Sequence, residues 1–292
     1  MKKNSKVPLT PGSRVMINDL QFKYFLRRII ARDPFSFYKI NHAHWELFLE
    51  YQREKGFDLL PGLLNDDILM GFCKWQTRRS TLDHKGTHPN DLFLVLRILY
   101  DDLWYGPPGG DPDYLVGISD SAVRDYDNVK SRLSTQRGKY FSVEDVHSVM
   151  APIINHTLPK DLSPVRGTVF KKAHLDGDII EMIRSLKTFR VLFVTAGQLD
   201  YGIISSDQMS QLKIPKENAA AHAKEILSQI NEWCAKRKGS KDQAVIFCCG
   251  YLQVYLIRML HKIYPRTFLI DVGQSFDPLL KKGHRPRRWE RM

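Results

Sequence analysis

The 292-residue chain has no apolar run approaching the roughly 20 residues that a bilayer-spanning helix needs, so a helical membrane span is not expected. Cysteine is scarce: Cys73, Cys234, Cys248 and Cys249 show neither metal-type spacing nor a disulfide framework, which points to a reducing, cytoplasmic compartment. The opening Met1-Lys2-Lys3-Asn4 leads into Pro, Gly and Ser rather than the apolar stretch of a secretory signal. Gly (18) and Pro (15) are too few for a collagen-like or low-complexity chain. No G-x-G-x-x-G follows a strand-like run and no Walker A sequence is present, which disfavours dinucleotide binding of the usual kind and P-loop hydrolysis. A G-x-S-x-G nucleophile elbow is also missing. Gly197 alone is a poor substitute for the glycine-rich loop of an S-adenosylmethionine methyltransferase.

The chain does have positive charge, and it is unevenly placed. Of the net +12, residues 1–14 carry +4 and residues 281–292 carry +5, leaving +3 for residues 15–280. A nearly balanced body with two basic ends suits contact with an anionic membrane surface or simple solubility, and does not call for a specific nucleic-acid partner. The expected division is a basic lead (1–14), a mostly helical part (15–188), an α/β part (189–280) and a basic tail (281–292).

In the first part, Leu20, Phe22, Phe25, Leu26, Ile29 and Ile30 recur at helical spacing, with Asn18 or Asp19 as candidate cap, and Asp33-Pro34 ends the helix. Phe35–Ile40 and Tyr114–Ile118 read as short strands. Further helices are expected near 41–53, 65–79, 90–104, 120–135, 143–155 and 176–187. The last hundred residues have a cleaner rhythm. Arg190–Thr195, Ala244–Cys249 and Thr267–Val272 are short, continuously apolar runs, the pattern of strands covered by helices on both faces of a parallel sheet. Between them lie two helical stripes: Ala219, Ala223, Ile226, Leu227, Ile230, Trp233 and Cys234, then Leu252, Tyr255, Leu256, Met259, Leu260 and Ile263. This alternation predicts a Rossmann-like α/β unit with the three runs as parallel neighbours.

Ligands of such sheets bind beyond the carboxyl ends of the strands. Three loops fall there: Ala196-Gly197-Gln198, Gly250-Tyr251 and Gly273-Gln274-Ser275-Phe276-Asp277. Each has a glycine beside the strand end, where backbone can approach a ligand and a following helix start offers N–H groups to an anion. Tight turn-making alone also accounts for any one of these glycines.

The segment Leu212-Lys213-Ile214-Pro215-Lys216-Glu217-Asn218-Ala219, then Val245–Gly250, then Phe268–Gly273 with Phe276-Asp277, resembles the GT-D class of glycosyltransferases. Those proteins show an I-P-x-x-N-A segment, a strand ending in a glycine turn and a C-terminal I-D-x-G strand. The resemblance spans residues 189–280 and implies a GT-D-like Rossmann sheet. It also implies transfer of a sugar from a UDP-, GDP- or TDP-sugar to a glycan, glycoconjugate or other hydroxyl acceptor. In the family an N-terminal strand leads into Arg-x-Gly and Asp-x-Glu, which bind the donor diphosphate through a divalent metal. Here the equivalent stretch is Phe37–Glu46, with Lys39 for Arg, Asn41 for Gly, and His42 and His44 for the two carboxylates.

Carboxylates suit Mn²⁺ or Mg²⁺, whereas imidazole suits softer ions or none. Three alternatives follow. His42 and His44, with Glu46, hold a metal or hydrogen-bond the pyrophosphate; or Lys39 and protonated histidine supply the positive charge; or the histidines are surface residues at a helix start. The resemblance assigns donor contacts to Lys39, His42, Gly197, Gln198, Asn218, Gly250, Tyr251 and Gly273. Asp277, ahead of Asp271 and Asp200, is the candidate general base, with His44 and Glu46 beside it; for Asp271 a buried loop-holding role is the alternative. A non-catalytic binding protein on this fold, or an unrelated Rossmann-like transferase, are the competing classes. Trp104-Tyr105 is a candidate sugar platform, while His84 and His88 read as a solvated loop.

Overall fold

A computed structural model describes residues 20–40, 44, 95, 97–99, 101–102, 108–118, 164–199, 208–216, 218–236, 242–273 and 275–276. Helix α1 (Phe22–Ile30) buries Phe22, Phe25, Leu26 and Ile29 on one side. It stops before the left-handed Arg32 (φ +53°), and Asp33-Pro34 turns the chain into β1 (Ser36–Ile40). Arg28 closes this corner, donating to Asp33 (2.7 Å), to the Pro34 carbonyl (2.8 Å) and to Asp113 (2.6 Å) ahead of the next strand.

The chain continues through helical positions at 95, 97–99 and 101–102 and a tight turn at Pro108–Gly110 into β2 (Tyr114–Ile118) and a two-residue β3 (Val165–Arg166). Two short helices follow, α2 (Val169–Leu175) and α3 (Ile179–Leu186). The remaining elements are β4 (Arg190–Thr195), β5 (Met209–Lys213), α4 (Ala223–Ala235), β6 (Gln243–Cys248), α5 (Leu252–Ile263) and β7 (Phe268–Asp271).

Among the described residues, seven strands form one sheet in the order β3-β2-β1-β7-β6-β4-β5, and every pairing between them is parallel. The three apolar runs are therefore parallel neighbours, as expected: β6 lies between β4 and β7. The sheet also runs across residue 188, because β1, β2 and β3 continue it beyond β7. Two strands had no apolar signature. β5 is a half-buried edge strand with only Met209 and Leu212 apolar, and β3 is too short for a pattern. Helix α2 was likewise unannounced.

Each face carries its own core. Tyr38, Ile40, Leu192, Val245 and Phe247 point towards α4 and α5, while Phe35, Phe37, Val191, Phe193 and Ile246 point towards α1, α2 and α3. Helix α4 keeps a single buried stripe, Ala223, Ile226, Ile230 and Cys234. Helix α5 departs from the expected stripe. Gln253, Val254, Ile257 and His261 are buried as well, and Ile263 is exposed, because the helix packs on β1 and β7 as well as on α4. Among the described residues no helix is long and apolar enough to cross a membrane.

Candidate functional site

A parallel sheet sends all its strand ends to one edge, so the glycine loops of β4, β6 and β7 and the exit of β1 share it. In sheet order these strands run β1-β7-β6-β4-β5, adjacent throughout. From β4 the chain goes to β5 on one side, and from β6 to β7 on the other. The winding thus reverses between β4 and β6, which is where open α/β sheets form their ligand crevice. The Gly197 and Gly250 loops flank that point.

The β7 end is the best-defined corner. Asp271 is fully buried, and its carboxylate is surrounded by donors: Oδ2 accepts the Lys39 N–H (3.0 Å) and the Gln253 Nε2 amide, and Oδ1 accepts the Gly273 N–H (2.7 Å). One carboxylate therefore holds the exits of β1 and β7 and the first turn of α5. Burial pushes this carboxyl up to about 6, with the Lys39 charge and the two backbone N–H groups pulling the other way. Gly273 adopts φ +53°, and a Cβ there would overlap the Lys39 ammonium. The left-handed backbone is what favours glycine here, and a Cβ would displace the flexible Lys39 ammonium that covers it.

Next along the edge, Gly250 (φ +67°) makes the turn from β6 into α5, whose first turn has no side-chain cap. The helix dipole makes that turn electropositive. Tyr251 packs its ring into the core at 2 % exposure, so its side chain does not face the edge. On β4, the Thr195 hydroxyl accepts the Gly197 N–H (3.2 Å), and Gln211 of β5 donates to the Gly197 carbonyl (2.5 Å) while accepting from Leu199 (3.4 Å). Gln198 is left exposed above this clamp. Asn218, left-handed at φ +55°, follows the exit of β5 and leads through a short turn into α4.

Lys39, Gly273, Gly250, Gly197, Gln198 and Asn218 are accordingly arrayed along one edge. His44 is fully buried at a helical position beyond β1, so it is not a surface histidine. His42, Glu46, Asp200, Asp277, His84, His88 and Trp104-Tyr105 lie outside the described residues. Among those described, no three His, Cys, Asp or Glu side chains gather as a metal site. Two thiols are held protonated: burial pushes Cys234 up to about 12 and, with Asp271 and Cys248 nearby, drives Cys249 well up.

A second polar cluster lies lower in the sheet and was not signalled by sequence spacing. The Asp102 carboxylate accepts the Tyr38 (2.8 Å) and Tyr114 (2.7 Å) hydroxyls and pairs with Arg258 of α5 (2.6 Å). Beside it Ser36 contacts His261 Nδ1 (2.9 Å), and His261 Nε2 faces Asp111 (3.0 Å). The Ser–His–Asp order suggests a nucleophile, but Ser36 is 1 % exposed under α5 and no substrate can reach it. Burial lowers the His261 pKa against the opposing pull of Asp111, so this is a neutral structural link.

Comparison with solved structures places the architecture. The chain is similar to two structures of domain of unknown function 1792, one selenomethionine-substituted and one described as having a distinct glycosyltransferase fold. TM-scores are 0.52 and 0.53 at 14 % identity, covering 90 % of this chain and 79 % of each neighbour. The resemblance to the GT-D class read from the sequence is therefore present in the fold. No protein-family model matches the sequence, and no curated protein matches it.

Proposed function

We propose that this chain is a nucleotide-sugar-dependent glycosyltransferase whose donor lies along the carboxyl edge from β1 to β5. The observation that carries the reading is the Lys39 ammonium seated on Gly273, one strand from the Gly250 turn and the uncapped start of α5. A fold shared with a described glycosyltransferase fold agrees with it. Sugar transfer breaks the bond between the anomeric carbon and the diphosphate, and negative charge builds on the departing phosphate oxygens. Fixed donors and cations aimed there lower the barrier. Lys39 and the α5 N-terminal turn supply them; the resemblance adds His42 and Glu46 as further donor-side candidates, whereas His44 is buried and closed to solvent. Gln198 and Asn218 bracket the nucleoside end.

The acceptor, a glycan or glycoconjugate hydroxyl, must lose its proton as the new bond forms. Asp271 is occupied by three N–H groups and closed to solvent, so it acts as the anchor of the edge, and Asp277 is assigned as the base. A divalent Mn²⁺ or Mg²⁺ at the 42–46 turn is the competing source of positive charge, and His44 is a poor ligand for either ion. The basic ends hold the enzyme near an anionic membrane surface.

The test is equilibrium binding of UDP-, GDP- and TDP-sugars and of S-adenosylmethionine, with and without a chelator, followed by donor hydrolysis. One nucleotide-sugar class should bind with chelator present and be slowly hydrolysed, and Lys39→Ala should weaken binding by about tenfold or more. Binding of S-adenosylmethionine alone overturns the reading, and binding without any hydrolysis or transfer reduces it to a non-catalytic module.

A further inference from the structure

Gln253 stands out among the buried residues of α5. It is 1 % exposed, between the core residues Leu252 and Val254, where an apolar side chain would be expected. Its Nε2 donates to Asp271, while its Oε1 is buried with no hydrogen-bond partner among the described residues. An unpaired buried acceptor is a net cost that methionine or leucine would avoid. The amide is therefore accounted for by what its donor half does rather than by helix stability.

We infer that Gln253 is a positioning residue of the donor site: it fixes the Asp271 carboxylate so that the backbones of Lys39 and Gly273 are held and the Lys39 ammonium stays over the edge. The inference rests on the reading of this edge as the donor site. The geometry requires each link. Asp271 reaches β1 through the Lys39 N–H and its own turn through the Gly273 N–H, and only Gln253 connects it to α5. Since α5 begins at the Gly250 turn, the amide ties the start of the helix to the lysine.

Gln253→Met removes the donor while keeping volume and helix propensity. The melting temperature should stay within about 3 °C of wild type, because the lost bond is offset by the lost orphan acceptor. Affinity for the nucleoside diphosphate that wild type binds, among UDP, GDP and TDP, should fall about tenfold. Amide exchange at Lys39 and Gly273 should accelerate about tenfold or more, with the α4 amides unchanged. Gln253→Glu is the rescue: sharing a proton with Asp271, it restores binding in acid and loses it at neutral pH, where two facing carboxylates repel. Wild-type exchange at Lys39 and Gly273 in folded Gln253→Met overturns the inference, as does unchanged nucleoside diphosphate affinity. If Gln253→Met does not fold, the role is structural and the inference fails, unless Gln253→Glu shows the acid-dependent recovery. Should wild type bind no nucleoside diphosphate, the donor reading fails separately and amide exchange alone decides the role of Gln253.

Discussion

Asp102 and Asp271 are both buried in one layer against α5, and burial pushes both carboxyls up to about 6, yet they are held by different kinds of group. Asp102 is gripped by side chains, two tyrosine hydroxyls and the Arg258 guanidinium, all on packed elements. Asp271 is gripped mainly by backbone N–H groups of chain leaving the sheet, plus one amide side chain. The first arrangement joins β1, β2 and α5 into a rigid block. The second sets the shape of loops at an edge that faces outward. The same kind of buried carboxylate thus serves as a rivet in one place and as a template for a strand-end turn in the other.

The largest expected effect falls on the rivet. Arg258→Ala strands the Asp102 charge and should cost about 3–5 kcal/mol at pH 7, measured by chemical denaturation. Near pH 4, where Asp102 carries its proton, the same substitution should cost far less. An equal cost at both values breaks the comparison, since it means the pair matters through packing alone.

The next effect is the pH dependence itself. Both folded carboxyls sit at about 6 against an ordinary 3.8, so the folded state binds protons more tightly than the unfolded one. The resulting stabilisation is complete below about 3.8 and is lost as pH rises through about 6, on the order of 3 kcal/mol for each group. Asp102→Asn and Asp271→Asn should each flatten the fall in stability between pH 4 and 7, and only the second should disturb nucleotide binding. If neither changes the slope, the two sites do not share the electrostatic origin argued above.

The smallest effect separates backbone strain from site geometry. Gly177 (φ +79°) and Gly273 (φ +53°) are both left-handed, but a Cβ at 177 meets open space while one at 273 meets Lys39. Each Gly→Ala change should cost about 1–2 kcal/mol in thermal unfolding. Only Gly273→Ala should also weaken nucleotide binding. Equal binding in the two variants would remove the Lys39–Gly273 contact from the site.

Much of this molecule was legible before its structure. The runs at 190–195, 244–249 and 267–272 announced buried parallel strands because covering both faces leaves no polar alternation. The short strands at 35–40 and 114–118 and the stripe of α4 were legible for similar reasons. β5 was not, since an edge strand needs no continuous apolar run. Gln253, Arg258 and His261 were invisible because a helix buried nearly all round hides polar residues inside what periodicity reads as a stripe.

Composition and periodicity by themselves determined a parallel α/β sheet, its two kinds of helix and the basic ends, because these follow from local alternation and from charge counted along the chain. Glycine at strand ends also marked the carboxyl edge of the sheet, since sheet direction fixes where such turns must lie. Tertiary structure alone decided that β1 sits beside β7, and with it the pairing of Lys39 with Asp271 across 232 residues and of Arg258 with Asp102 across 156. No pattern along the chain encodes those partners. A buried charge selects whatever donor the packing brings within reach, and packing is settled only when the whole sheet closes.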